Sequence, residues 1–157
     1  MSRSTSTAGL PTYKHSLAGT LLAAREAVMA PLRPQLQAAK VTEQQWRVLR
    51  VLDGHESIDA AGLADAALLH APSVSRILKE LTERGLVVRG SDPGDARRSM
   101  VAITDAGRAL IADTAAHTLA VIDDYVQAFG RERLAKLQEE IAAFTATIAR
   151  FAPKGGS

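Results

Sequence analysis

The chain has 157 residues, 46% of them hydrophobic and 23% charged, with a formal net charge of +2. That is the size and balance of one folded domain with a real core, too short for two enzymatic domains, and its charge permits a polyanionic partner without requiring one. Cysteine is missing altogether, which excludes disulfide scaffolds, thiol catalysis, iron–sulfur clusters and thiol-based redox sensing.

Residues 1–12 are small and polar and read as a disordered tail. They lack the apolar stretch of a signal peptide, and no later segment approaches a membrane span, so a cytoplasmic protein without a membrane partner is expected. From residue 13 to 38, Leu17, Leu21, Ala24, Val28 and Leu32 recur at spacings of three and four and predict a helix with one buried face. Pro31 and Pro34 predict a kink or early stop in its last turns. Thr42 to Gln45 has the pattern of a capping box opening a second helix, with Trp46, Leu49 and Leu52 inward and Gly54 at its end. Ser57 to Asp59 caps a short third helix carrying Leu63 and Ala64. A turn at Leu69 to Ala71 leads to Pro72, suited to the first turn of a helix running to Arg84 and capped by Gly85. Two short helices joined by a tight turn form a helix-turn-helix.

Leu86 to Arg89 and Ser99 to Ile103 are β-prone and bracket the turn-rich Gly90 to Asp95, predicting a β-hairpin. Thr104 caps a long helix to about Ala128, apolar at Leu110, Ile111, Leu119, Ile122 and Val126, and Gly130 breaks it. A last helix from Arg131 to Phe151 carries Leu134, Leu137, Ile141, Phe144 and Ile148, and residues 152–157 form a second disordered tail. The expected fold is mainly α with a small β-hairpin wing. A winged helix-turn-helix head spans residues 42–104, and helices at 13–38 and 105–151 flank it within one domain, 13–151.

On a wheel of about 100 degrees per residue, Val74, Ile77, Leu78 and Leu81 form one narrow stripe. The opposite face of this helix collects Pro72, Ser75, Arg76, Lys79 and Glu83, with Ser73 beside it. Small hydroxyls and cations near a helix N-terminus are the groups that meet base edges and phosphates in a major groove. Any surface helix has a solvated polar face, so the hairpin strengthens the reading. Its tip continues into Ala96-Arg97-Arg98, and inserted arginines are drawn to a narrow minor groove. Asp95 can pair with one arginine and preorganise the other. As plain solubilising charges, Arg97 and Arg98 would have no such role.

The run APSVSRILKELTERGLVVRGSDPGDARRSMVAITDAG resembles the MarR family of bacterial regulators. It carries that family's S-x-S-R recognition helix, L-x-x-x-G-L-V junction, D-P-x-D-x-R-R wing and T-x-x-G helix opening, in order and spacing. The resemblance implies a winged helix-turn-helix whose recognition helix enters the major groove through Ser73, Ser75, Arg76 and Lys79. It implies a wing carrying Asp95, Arg97 and Arg98, with the arginine in the minor groove, and a homodimer formed by the first and last two helices. Within the family, HSLAGTLLAAREAVMAPLRPQL followed by VTEQQWRVLRVL looks like the homoprotocatechuate-degradation regulators and related repressors of aromatic-acid catabolism. The likeness implies an aromatic carboxylate, or a thioester of one, as inducer.

Such an effector needs an apolar slot with fixed cations or hydroxyls. His15, Ser16 and Arg25 on the first helix and Trp46 and Arg50 on the second are the candidates. Trp46 stacks on an aromatic ring or packs as core. Arg25 and Arg50 hold an anion or pair with Glu26 and Asp53, and His15 caps or faces solvent. An enzyme has little support: His15, His55, His70 and His117 are scattered, and no phosphate-binding loop is present. No catalytic residue, metal site or cofactor is expected. The alternative to aromatic catabolism is a regulator of drug or stress genes answering a different phenolic or metal effector.

Overall fold

The structure is a computed structural model and describes residues 9, 11–91, 94 and 99–151. The predicted tails lie almost wholly outside the described residues, as do Asp95, Arg97 and Arg98 of the predicted wing. The chain divides into two compact units, residues 1–117 and 118–157.

In the first unit a 3-10 turn, Tyr13–His15, leads into α1 (Leu17–Met29), whose N-cap Ser16 accepts a hydrogen bond from the Gly19 amide at 3.0 Å. The predicted long first helix is cut where its prolines stand. A second 3-10 turn, Ala30–Leu32, holds Pro31 in its first positions, and α2 (Arg33–Ala38) starts afresh with Pro34 in its first turn. There a missing amide hydrogen costs nothing. Within the single chain most of the predicted buried face of this helix is exposed. Leu17, Leu21 and Val28 are 57%, 38% and 50% exposed, and the stripe reaches the core only at Leu32, continued by Leu36 on α2.

The predicted capping box is present at α3 (Glu43–Asp53): Thr42 Oγ1 accepts from the Gln45 amide at 3.1 Å, and Gln45 Oε1 accepts from the Thr42 amide at 3.0 Å. Gly54 closes the helix. Ile58–Asp59 then form a strand, β1, that sequence reading missed. Asp59 also caps α4 (Ala60–Ala67) through its carboxylate and the Gly62 amide, 2.8 Å. Leu68 ends α4 in the left-handed region, φ 54°. The helix α5 (Ala71–Glu83) follows, with Arg84 as C-cap and Gly85 at φ +69°, where the absent Cβ removes the penalty of that conformation.

The hairpin strands are β2 (Val87–Ser91) and β3 (Ser99–Ile103), paired antiparallel from Val87 opposite Ile103 to Ser91 opposite Ser99. β1 adds to the free edge of β3, Ile58 opposite Val101, giving the sheet order β1-β3-β2. Val87, Val101 and Ile103 turn into a core shared with Val48, Leu49 and Leu52 of α3, Leu63 of α4, and Val74, Ile77, Leu78 and Leu81 of α5. Each fully buried leucine or isoleucine contributes about 1.5–3 kcal/mol of transfer free energy, so the head is held by the stripe that the wheel isolates.

Thr104 starts α6 (Asp105–Phe129) as predicted, its hydroxyl accepting from the Gly107 amide at 3.1 Å. In the second unit Gly130, at φ +94°, separates α6 from α7 (Arg131–Ile148), and a 3-10 turn, Ala149–Phe151, replaces the predicted last turn of that helix. No residue of α7 is buried. Leu119, Ile122, Leu137, Ile141 and Ile148, read from the sequence as apolar positions of these two helices, are between 41% and 65% exposed in the single chain.

Candidate nucleic-acid interface

The four buried residues of α5 commit its opposite face to solvent: Ser75, Arg76 and Lys79 are exposed, and Ser73 is half-buried at the edge. His70, the N-cap, makes no side-chain cap hydrogen bond, so the first amides of α5 stay open to an anion. A groove of about 450 Å³ between α5 and β2 is lined by Ser75, Lys79, Thr82, Glu83 and Arg89. Arg89 is a cation that sequence reasoning passed over. Its signal was a cation at the end of the β-prone run Leu86 to Arg89, on a strand beside α5.

The turn between α4 and α5 is fastened from behind. Arg47 of α3 donates to the carbonyls of Ala67 and Leu68, 3.1 and 3.3 Å away, which satisfies acceptors that the end of α4 leaves open. This fixes where α5 begins.

The second group of candidate residues gathers at the first turn of α3. Glu43 accepts from Arg33 Nε at 2.6 Å and from Arg25 Nη2 at 2.6 Å, while Glu26 accepts from Arg25 at 2.9 Å and also from Arg33. The Arg33 hydrogen bond, with help from Arg25, holds the Glu43 carboxyl below the usual carboxylate range, against burial that pushes it up. The same bonds from Glu43 and Glu26 raise Arg33 further. Since the folded-state value is depressed, the stability this network adds is complete above the ordinary glutamate range. It is lost as pH falls through the lower folded value. Thermal melts between pH 3 and 6 are therefore expected to show a gap between the wild type and Glu43→Gln that narrows toward zero with acidification.

One turn along α3, Trp46 is half-buried against the core. Its Nε1 donates to Thr114 Oγ1 at 3.4 Å, and the Arg50 guanidinium lies 5.2 Å from its ring centroid. Arg25 is thus spent on Glu26 and Glu43, whereas Arg50 has no carboxylate partner among the described residues. Asp53, weighed as a partner for these arginines, pairs with Arg108 at 3.1 Å instead. His15 and Ser16 are engaged within their own turn: His15 Nδ1 is 2.7 Å from Thr12 Oγ1, and Ser16 Oγ donates to the Tyr13 carbonyl at 2.7 Å. A cavity of about 550 Å³, also missed by sequence reasoning, is lined by Gln35, Ala39, Leu86, Ala109, Leu110 and Thr114 among others. Thr114 therefore joins the cavity wall to Trp46.

Among the described residues no cluster of histidine and carboxylates can hold a metal ion, and no helix is long and apolar enough to cross a membrane. A helix-turn-helix backed by a three-stranded sheet, with cations and hydroxyls on the exposed face of its second helix, defines a DNA-binding transcription regulator rather than an enzyme. The sequence profile of the MarR family matches residues 39–98. The chain is 35% identical over 122 residues to the HTH-type transcriptional regulator FarR of Neisseria gonorrhoeae, covering 78% of this chain and 84% of FarR. It is 40% identical over 95 residues to the homoprotocatechuate degradative operon repressor of Escherichia coli, covering 60% of this chain and 64% of the repressor. Among solved structures, NadR in complex with 4-hydroxyphenylacetate superposes with a TM-score of 0.75 at 34% identity, over 86% of this chain and 97% of NadR. The chain belongs to the MarR family of DNA-binding transcriptional regulators.

Proposed function

We propose that this regulator is a cytoplasmic homodimer that represses an aromatic-compound catabolic operon and leaves its operator on binding an aromatic carboxylate or a thioester of one. The observation that carries the effector is the Arg50 guanidinium beside the Trp46 ring, a cation and an aromatic face free of any carboxylate among the described residues. An aromatic acid has the matching halves, a ring to stack and an anion to pair. Kinship with a homoprotocatechuate repressor and with a 4-hydroxyphenylacetate-bound structure supports the same ligand class. His15, Ser16 and Arg25 are outer candidates in this reading, because their polar groups are already engaged.

On DNA, Ser73, Ser75, Arg76 and Lys79 are assigned to the major groove and the wing residues Asp95, Arg97 and Arg98 to the minor groove, with residues 13–151 acting as one functional domain. Homodimerisation is supported by Leu17, Leu21 and Leu22 on α1, and by Ile122, Leu137, Ile141 and Ile148 on α6 and α7, all left exposed in the single chain. Apolar stripes of that extent are hidden in stable proteins. A two-fold dimer then reads a pseudo-palindrome with half-sites about 10 base pairs apart. Sedimentation of Ile141→Glu is expected to show monomer at concentrations where the wild type is dimeric, with operator affinity lost in parallel.

Trp46 is the one tryptophan of the chain, so intrinsic fluorescence reads the site directly. Titration with 4-hydroxyphenylacetate is expected to change that emission and, over the same concentrations, to release operator DNA in a gel shift. Unchanged emission and unchanged DNA binding across a series of phenolic acids would remove the effector assignment. A response confined to phenols without a carboxylate would favour regulation of drug or stress genes instead.

A further inference from the structure

The first turn of α3 is joined to the recognition helix as well as to α1 and α2. Gln45 is buried, and both ends of its amide are used: Oε1 completes the capping box, and Nε2 donates to Glu80 Oε2 of α5 at 2.8 Å. One turn further along α5, Arg84 donates to the carbonyls of Lys40 at 2.8 Å and Ala39 at 3.5 Å, just before α3. Glu80 and Arg84 lie along one flank of α5, so these bonds fix the rotation of the helix about its own axis. They attach it to the segment that carries Glu43 and Trp46.

Glu80 also stands four residues after Arg76, the spacing at which side chains on a helix meet. In this structure the Glu80 carboxylate bonds Gln45, and Arg76 is exposed with no ion-pair partner among the described residues. We propose that Gln45 is a positioning residue for DNA recognition: by holding Glu80, it fixes the rotation of α5 and keeps Arg76 free for DNA. A shift of the first turn of α3 hands Glu80 to Arg76 and withdraws the cation from the reading face. This rests on the assignment of Arg76 to DNA, and for its regulatory half on an effector at Trp46. It adds the route from one to the other, since Trp46 is the neighbour of Gln45 in the chain.

The test uses the full chain and an operator selected by the wild-type protein from a random duplex library. Gln45→Glu keeps a residue competent for the capping box but sets a carboxylate against Glu80. Gln45→Leu removes the bond to Glu80 without adding charge, along with the side-chain half of the capping box, and serves if the first variant does not fold. Either change is expected to weaken operator binding about fivefold, the scale of one hydrogen bond lost and one helical ion pair gained. Adding Glu80→Gln is expected to bring Gln45→Glu back to within about twofold of wild type, because the amide and carboxylate are exchanged and the competitor for Arg76 is gone. A merely structural role for Gln45 would lower the melting temperature without this rescue.

Binding at wild-type strength by both folded single variants, or failure of Glu80→Gln to rescue a weakened Gln45→Glu, overturns the proposal. The regulatory half is read in Gln45→Leu/Glu80→Gln, which has neither the link nor the competing carboxylate. There 4-hydroxyphenylacetate is expected to weaken operator binding much less than in wild type, and an undiminished effect overturns the route. A wild-type protein that ignores the ligand refutes the effector assignment and, with it, the route from Trp46. The operator-affinity cycle then still decides whether Gln45 positions α5.

Discussion

Replacing Arg76 with alanine is expected to weaken specific operator binding by about 1–3 kcal/mol, roughly 5- to 150-fold in Kd, and to flatten preference at one base position in each half-site. The expectation follows from the division of α5 into two faces. Val74, Ile77, Leu78 and Leu81 are almost fully buried, which leaves Arg76 on the exposed face of α5. In the proposed reading Lys79, one turn further from the N-terminus on the same exposed side, meets a phosphate. Its replacement is expected to weaken binding to all sequences alike and to lower the salt dependence by about one released counterion. Titrations of both variants at several salt concentrations, on the selected operator and on unrelated duplex, separate the two behaviours. Equal loss on both duplexes for Arg76→Ala would show that it touches backbone and reads nothing.

How far the sequence carried varies with where each element finds its partners. The buried stripe of α5, the capping box at Thr42, the glycine ends at Gly54, Gly85 and Gly130, and the start of α6 at Thr104 were all legible. Each is set by residues three or four apart or, at Gly85 and Gly130, by a positive φ that glycine tolerates, and Gly54 ends its helix at a negative φ. The stripes of α1 and α7 were legible as apolar faces, and both are exposed in the single chain. Periodicity says that a face is apolar and not what covers it. β1 escaped notice because two residues carry no periodicity, and Ile58 and Asp59 are a strand only through pairing with Val101 and Met100.

The candidate site divides along the same line. Residue types on the exposed face of α5 could be read directly. Arg25 and Gln45 have local partners, Glu26 and Thr42, that the sequence offered, but their further partners Glu43 and Glu80, and the Thr114 partner of Trp46, lie 18, 35 and 68 positions away in the chain, beyond any local pattern. That is why Arg50, rather than Arg25, emerges as the cation without a carboxylate partner among the described residues only once the fold is known.

The T-x-x-G pattern at Thr104 to Gly107 has a steric reason with a large expected consequence. A Cβ on Gly107 would lie 2.3 Å from the Leu86 carbonyl oxygen and 2.6 Å from Ile103 Cγ1. The first of these is backbone and cannot swing aside. The same carbonyl accepts from the Thr104 amide at 3.1 Å, and Thr104 Oγ1 donates to the Gly85 carbonyl at 2.7 Å while accepting from the Gly107 amide. Making room for a methyl group therefore means lifting the start of α6 from the start of β2, at the expense of the cap and both tethers. Overpacking costs about 1–3 kcal/mol and a lost helix cap about 1 kcal/mol more, so Gly107→Ala is expected to destabilise by about 2–4 kcal/mol. For a chain of this length that lowers the melting temperature by roughly 5–15 °C. Gly90→Ala is the control: Gly90 has nothing within 4 Å of its Cβ position and no positive φ, so the added methyl group meets open space. A melt in which the two variants behave alike would mean that α6 can start at a greater distance from β2 at little cost, and that the glycine of the motif serves something other than this close approach.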